Sequence, residues 1–453
     1  MFDRSITPKP EKHLSFNIPA IQNFKLNNGV ELNFIRKNNL PIVYTEIIIF
    51  SGSRFDPQNK NGLNYLMTLL MDEGAGEYNA LQLSDEFEKL GTVFSISSNH
   101  DKTVLSILSL KEHFSRSLEL VSKIIFQPQF EEKDFQREKK KTLDKILQLK
   151  DEPSFLASAA FEKRVFNNTF YESPEIGFDK TLGVITRNDV KDFYENNFLK
   201  AVSNIIVVGN LDESEVKELF NKYLNEWKAA SNNAINFEQP KLVDRKFYFV
   251  DKKDSAQSEI RIGHIAKKRN AEDHFAARIM NTILGGQFSS RINLNLRERK
   301  GFTYGAGSAF HYYTESAMFQ VSTAVNIENT GESITEILNE LYEIQKEISA
   351  AEIEFAKSYM IKQFPARFET FPQIAKNIES LIVHSLPLDE LSNYISKIEN
   401  TTDEEIRKAA SENIFPEKLV VLAVGDKKKI LPQLQNVAND SPIELDIYGN
   451  VLN

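Results

Sequence analysis

Cysteine is absent from the 453 residues. That excludes disulfides, thiolate metal sites and cysteine nucleophiles, and leaves the compartment open. Histidine is sparse, at seven. No two histidines stand in an H-x-H, H-x-x-H or H-x-x-x-H arrangement, and His264 and His274 read as isolated core or surface residues. Long apolar runs are also missing. "EIIIF" and "LVVLAV" are strand-sized and fall far short of the roughly 18 residues of a membrane span. Excess positive charge is lacking too: 64 acidic against 55 basic residues leave a net charge of -9. This argues against a general nucleic-acid binder. The one basic cluster, "REKKK" at Arg137–Lys141, lies among acids and reads as a solvated helix face. No P-loop, G-x-G-x-x-G or G-x-S-x-G is present, which leaves an enzyme of another kind without support. The first residues, "MFDRSITPKPEKHLSF", contain no apolar signal region.

The length suggests two to four domains, and an apolar content of 41% is ample for their cores. A long internal repeat organises the chain. "NIIVVGNLDESEV" at Asn204–Val216 matches "LVVLAVGDKKKIL" at Leu419–Leu431. Each is a β-rich run followed by a Val-Gly turn and a helix. Gly209 and Gly425 are 216 residues apart, as are Val190 and Ile406. A period this long marks duplication of a whole domain. The polar stretch Lys228–Arg245, with Pro240, reads as the connection. The expected division is an N-terminal domain over 1–228, a linker over 229–245 and a C-terminal domain over 246–453.

Each half opens with strands. "FKLNNGVELNFI" is a hairpin turning at Asn28-Gly29, followed by "IVYTEIIIF". In the second half "KFYFV" precedes "EIRIGHI". "TVLSILSL" and "AMFQVSTAV" alternate with period two, so each has one buried face. Longer helical patterns follow, such as Ile327–Gln345 and Asp389–Lys397. Segregated strands and helices predict an α+β fold: two homologous α/β-sandwich domains, largely antiparallel, with helices on one face.

"GLNYLMTLLMDEGAG", Gly62–Gly76, reads as an amphipathic helix bounded by glycines. Leu63, Leu66, Leu70 and Met71 form its core stripe. Tyr65, Thr68 and Leu69 stand at i, i+3 and i+4, the spacing of the inverted zinc motif H-x-x-E-H. There, two imidazoles share the metal and the Glu polarises its water. With "SGSRFD" at Ser51–Asp56 ahead of it, this stretch resembles the pitrilysin/insulinase metallopeptidases, in the branch close to the mitochondrial processing peptidase. The family pattern is G-L-x-H-x-x-E-H. Tyr65 takes the place of the first histidine, Thr68 of the glutamate and Leu69 of the second histidine. The family's third ligand is a glutamate on a later helix, and counting along this chain lands on Lys145. Leu has no lone pair, a Tyr hydroxyl stays protonated near neutral pH, and an ammonium repels the ion. No metal is expected at this degenerate motif.

The second half carries "ILGGQFSSRINLNLRERKGFTYGAGSAF", Ile283–Phe310. Gly285-Gly286 read as a helix C-cap, Ser290–Lys300 as a further helix and Phe302 as the start of a strand. Arg297 and Tyr304 then lie on different elements with Gly301 between them. The bland alternatives are a surface ion pair for Arg297 with Glu298, and a core strand position for Tyr304. In the resembled family an "L-R-x-x-x-G-x-x-Y" segment supplies an Arg and a Tyr that reach across the clamshell to the substrate carbonyl. An Arg fork and a phenol are both donors suited to a developing oxyanion.

The resemblance implies a chain that forms half of a clamshell and has lost the zinc helix but kept the Arg/Tyr segment. It implies the zinc-free, non-catalytic subunit of a heterodimeric zinc metalloendopeptidase. Its partner is a homologous subunit carrying H-x-x-E-H and the zinc, and Arg297 and Tyr304 act in trans on that site. The alternative is a structural or peptide-binding pseudoenzyme similar to the core proteins of a respiratory complex. Peptide substrate is expected to add as a strand to the sheet edge after Gly91, in "TVFSISSNHDKTV". The expected location is cytoplasmic, or periplasmic if a signal segment has been removed.

Overall fold

The computed structural model describes residues 18–227, 237–438 and 440–452. The expected signal-free leader and the first part of the linker, 229–236, lie outside the described residues. Residues 237–245 carry neither helix nor strand. Among the described residues no helix is long and apolar enough to cross a membrane.

The first half contributes β1 (Gln22–Lys25), β2 (Glu31–Arg36), β3 (Ile42–Ile49), a small hairpin of β4 (Gly74–Ala75) and β5 (Tyr78–Asn79), β6 (Val93–Ser98), β7 (Thr103–Leu110) and β8 (Ser203–Gly209). The second contributes β9 (Lys246–Asp251), β10 (Gln257–Ile265), β11 (Ala306–Tyr312), β12 (Ala317–Asn326), β13 (Val420–Gly425) and β14 (Ile443–Leu445). Two six-stranded sheets result, in the orders β1-β2-β8-β3-β7-β6 and β14-β9-β13-β10-β12-β11. Five strands correspond one for one, including one parallel pair in an otherwise antiparallel set: β2 with β8, and β9 with β13. Gly209 pairs with Arg36 and Gly425 with Asp251, so the repeated glycines close equivalent central strands. The sixth strands differ. β1 reaches β2 through the Asn28-Gly29 turn, where Gly29 has φ +87, a left-handed geometry that glycine adopts without strain. β14 arrives from the far end of the chain and runs parallel to β9.

The expectation that helices cover one face of each sheet holds only for helices of the same half. Helices Leu63–Leu70, Phe114–Phe126 and Glu213–Tyr223 pack on one face of the first sheet. Its other face, at Ile35, Tyr44, Ile48, Ile206 and Val208, joins the second-half helix Phe371–Val383 in a single core. Reciprocally, Leu156, Ala157, Ala160 and Phe161 of the first-half helix Pro153–Val165 pack beneath Tyr248, Val250, Leu422 and Val424 of the second sheet. Local sequence starts both crossing helices. Pro153 occupies a first-turn position, where its missing N–H costs nothing. Thr370 and Gln373 form a reciprocal capping box. Covered on both faces, β3, β8 and β13 are buried almost throughout, which is why they read as unbroken apolar runs.

Two helical expectations shift. The Ile327 pattern becomes a short turn and then helix Thr330–Lys346. The Asp389–Lys397 pattern divides into a turn at Leu388–Glu390 and helix Tyr394–Asn400. The "REKKK" cluster is a helix face, but a paired one. Arg137 meets Glu73, Asp134 and Glu138, Lys141 meets Glu138, and Lys139 donates to the carbonyls of Gly183 and Ile185.

Candidate functional site

The degenerate motif sits on helix Leu63–Leu70. Asp56, from the "SGSRFD" segment, caps this helix from outside it. Its carboxylate accepts from the backbone N–H groups of Gly62, Leu63 and Asn64 at 2.8, 3.1 and 2.9 Å. Those are orphan donors of the first turn, and a carboxylate there also complements the helix dipole. Gly62 must be glycine: its φ is +98, and a Cβ would meet the Ile176 carbonyl oxygen at 2.5 Å. The core stripe of Leu63, Leu66, Leu70 and Met71 is buried, and Met67 with it.

On the other stripe, Thr68 is 4% exposed and its hydroxyl donates to the Asn64 carbonyl one turn back, at 2.8 Å. Leu69 is half-buried. Tyr65 also is half-buried, and its partner is Lys145, on helix Glu132–Leu149. The Lys145 ammonium donates to the Tyr65 hydroxyl at 3.1 Å and lies 5.6 Å from the ring centroid. The residues counted onto the first and third ligand positions, 80 apart in sequence, therefore touch.

These groups do not fit zinc. Zinc takes neutral imidazole, carboxylate or thiolate in a tetrahedral set. Here the position offers an alkyl chain, a threonine spent on its own helix, a phenol and an ammonium. The acid two turns before Lys145 is no substitute, since Glu138 is committed to Arg137 and Lys141. Among the described residues no group of three or more His, Asp and Glu side chains is placed to hold a metal ion. His264 is a core histidine. Burial pushes it down to about 4, its Nδ1 faces the Ile265 carbonyl, and its Nε2 accepts from the Phe415 N–H. His274 is likewise buried and held well below the usual range, first by burial and then by Arg269 and Arg278.

The Arg/Tyr segment lies in the second half. Helix Arg291–Asn293 widens into a looser turn over Leu294–Arg299, and Gly301, at φ +69, reverses the chain. Backbone bonds pin the segment at its ends. Phe302 N–H donates to the Leu296 carbonyl and Ala306 N–H to the Asn293 side chain. The strand begins at Ala306 rather than Phe302. Between the pinned ends Tyr304 stands outward, 92% exposed. That rules out a core position for it. Arg297 does approach Glu298, at 3.5 Å, but this is a surface pair of little worth. Its guanidinium also lies 4.5 Å from the centre of the Phe288 ring, which is itself 60% exposed. Phe288 was not singled out from sequence; an aromatic between glycines and serines was its only signal.

Gly285 is the C-cap of helix His274–Leu284, its N–H donating to the Asn281 carbonyl, though with a φ of -157 rather than a left-handed conformation. It is glycine because β11 passes directly over it, and a Cβ would meet Ser308 atoms at 2.3–2.8 Å. The emptied helix and the Arg297–Tyr304 segment belong to different sheets, and no hydrogen bond or ion pair joins them among the described residues. The structure brings Tyr65 and Lys145 together, and leaves Tyr304 facing solvent and Arg297 half-buried against Phe288. The expected substrate edge is β6, which forms one outer edge of the first sheet and, among the described residues, pairs with β7 alone.

Comparison with known proteins places both halves in one family. Residues 34–174 match the family described as insulinase (peptidase family M16), and residues 185–360 match the peptidase M16 inactive domain. A Bacillus subtilis protein named uncharacterized zinc protease YmxG is 23% identical over 384 residues, spanning 83% of this chain and 92% of its own length. A Helicobacter pylori protein named non-peptidase homolog YmxG is 21% identical over 403 residues, spanning 86% and 90%. The crystal structure of a peptidase M16 inactive domain from Pseudomonas fluorescens superposes with a TM-score of 0.83 at 23% identity. It covers 90% of this chain and 98% of that one.

Proposed function

The chain belongs to peptidase family M16, and we propose that it is the zinc-free subunit of a two-chain zinc endopeptidase. The observation that carries this is an asymmetry. The zinc helix is intact as a packed element, yet its metal-facing positions hold Tyr65, Thr68 and Leu69, with Lys145 against Tyr65. The Arg297–Tyr304 segment, by contrast, holds two hydrogen-bond donors, an exposed phenol and a half-buried guanidinium, with no acceptor among the described residues except the weak Glu298 contact. A donor pair without a substrate of its own makes chemical sense if another chain holds the reacting carbonyl.

In this reading the halves 1–228 and 246–453, joined through 229–245, close on a homologous subunit that carries H-x-x-E-H and zinc. An extended peptide binds by strand addition, with β6 offering its free edge. Arg297 and Tyr304 donate to the substrate carbonyl as it gains negative charge, which is where preorganised donors contribute most. Phe288 holds the guanidinium in place by stacking.

The test is reconstitution. This chain and a zinc-motif homologue from the same genome are expressed separately and together, and cleavage of a peptide library is followed. Cleavage that requires both chains supports the reading. A zinc subunit equally active alone, or two chains that do not associate, overturns it. The second outcome favours a structural or peptide-binding role.

A further inference from the structure

The chain carries a net charge of -9, yet in the second half four cations gather round one acid. Arg278, on helix His274–Leu284, and Arg367, in the turn Pro365–Phe368, both approach Tyr394, which opens helix Tyr394–Asn400. Their guanidinium carbons lie 5.6 and 5.3 Å from the centre of its ring. Phe364 stacks on one face of that ring at 4.2 Å, nearly parallel. Both arginines are half-buried, and neither forms an ion pair among the described residues. Arg269 and Lys397 stand beside them. These two share the carboxylate of Glu390, Lys397 at 3.8 Å, and Lys397 lies 5.1 Å from the centre of the Phe275 ring, one turn before Arg278. Phe275 in turn meets the Tyr394 ring at 5.8 Å. Glu390 is the only carboxylate paired with any of the four among the described residues.

Neighbouring groups feel this charge. Burial pushes Arg367 down from the usual arginine range, and Arg278 and Arg269 add to the fall, while the Tyr394 phenol acts against it. His274 is held well below its usual range by burial first, and then by Arg269, Arg278, His384 and Lys397. Burial also pushes His384 down, to about 4, with Arg269 and Lys102 adding to it and Asp101 and Glu379 opposing. The two histidines are therefore already neutral, and a guanidinium does not give up its proton near neutral pH. The cluster cannot relieve itself by releasing protons. What it lacks is an anion, to which guanidinium N–H groups are strong donors.

We propose that Arg278 and Arg367 are the two arms of a binding site for a diphosphate group, with Arg269 and Lys397 adding positive charge beside it. A guanidinium is a rigid fork that meets phosphate oxygens two at a time. The two forks can be no further apart than their combined distances from the shared ring. A diphosphate covers such a gap with one phosphoryl group on each fork, whereas a lone carboxylate or phosphate engages one fork fully. Its several negative charges also match a cluster with more than one cation unpaired. Three separate elements supply the cations, so the oxyanion is approached from different directions, as a tetrahedral phosphoryl group allows. The site needs no second chain, since every donor belongs to this one.

The test titrates this chain alone with pyrophosphate at pH 7.5 and follows binding by calorimetry. Inorganic phosphate, citrate and sodium chloride, matched in ionic strength, serve as comparators. Pyrophosphate is expected to bind at one site per chain, about tenfold or more tighter than phosphate, because it engages the second fork. It should also raise the unfolding temperature, since it binds only the folded chain. Arg278→Gln and Arg367→Gln should each weaken pyrophosphate about tenfold or more, one charge-assisted contact apiece. Arg367→Lys keeps the charge but loses the fork, and should retain part of the affinity. Lys133→Gln, an exposed lysine of the first half, should change nothing. Circular dichroism checks that each variant is folded. Citrate bound as tightly as pyrophosphate, or pyrophosphate binding that survives both arginine substitutions, overturns the site. So does weak binding that follows ionic strength alone, which would mark an adventitious ion only. None of these outcomes bears on the two-chain peptidase assay.

Discussion

The Lys145 ammonium donates to the Tyr65 hydroxyl at 3.1 Å, from a helix 80 residues further along the chain. The contact joins the residues that counting places at the first and third ligand positions of the resembled motif. It is also a small electrostatic unit: a cation against a phenol oxygen and the face of its ring.

Purified chain should therefore carry no stoichiometric zinc, as measured by elemental analysis after dialysis. Restoring Tyr65→His, Thr68→Glu and Leu69→His together should leave binding weak, because Lys145 remains and repels both the metal and a protonated imidazole. Adding Lys145→Glu should raise zinc affinity by a further 10-fold or more, roughly the scale on which a change around a metal site acts. A triple variant that already holds one zinc as tightly as the quadruple variant contradicts this account.

Arg297→Ala and Tyr304→Phe should each fold normally. Both side chains are surface groups, and changes at such positions usually shift stability by less than about 0.5 kcal/mol. In the reconstituted two-chain enzyme kcat should fall by about 10²–10³ for each, with KM little changed. Wild-type turnover by both variants assigns the pair a structural part. Phe288→Ala should give a smaller loss by freeing the guanidinium it stacks under, and Phe288→Tyr should restore it.

Glu46 makes stability depend on pH. Burial pushes its folded value up to about 7, above the ordinary 4.5, and Glu379 adds to the rise. The folded chain thus keeps a proton that the unfolded chain releases, and this contribution is present below about pH 4.5 and lost as pH rises through 7. Gln carries no such charge. Glu46→Gln should stabilise the protein by about 2–3 kcal/mol at pH 8 and distinctly less at pH 5.5, read from urea midpoints. An equal effect at both pH values would show that Glu46 ionises normally in the fold.

The exchanged helices predict a long-range effect. Phe161 is fully buried, belongs to the first half of the chain and packs against the second sheet. Phe161→Ala should cost about 3–5 kcal/mol. Hydrogen exchange should show the loss of protection in β13 and β9, rather than only in the helix that carries the substitution. Protection lost solely in the first half would mean that the two sheets are stabilised independently.

Much of this was written in local sequence. The period between Gly209 and Gly425 announced the duplication, because a central strand and its closing glycine repeat whenever a whole sheet repeats. Alternation in "TVLSILSL" and the Asn-Gly hairpin needed only neighbours in sequence. The loss of zinc donors at Tyr65, Thr68 and Leu69 followed from side-chain chemistry alone. Other features depend on residues far apart in the chain and have no local signal. Sequence could not show that helices Pro153–Val165 and Phe371–Val383 each cross to the other half's sheet, since an apolar stripe does not name the surface it covers. The need for glycine at 285 arises from β11 passing over it, a contact 23 residues away at Ser308. Glu46 looked like one polar residue in an apolar strand. Only the register β6–β7–β3 placed it at the end of the serine row Ser95–Ser106, and only burial left its Oε2 without a partner.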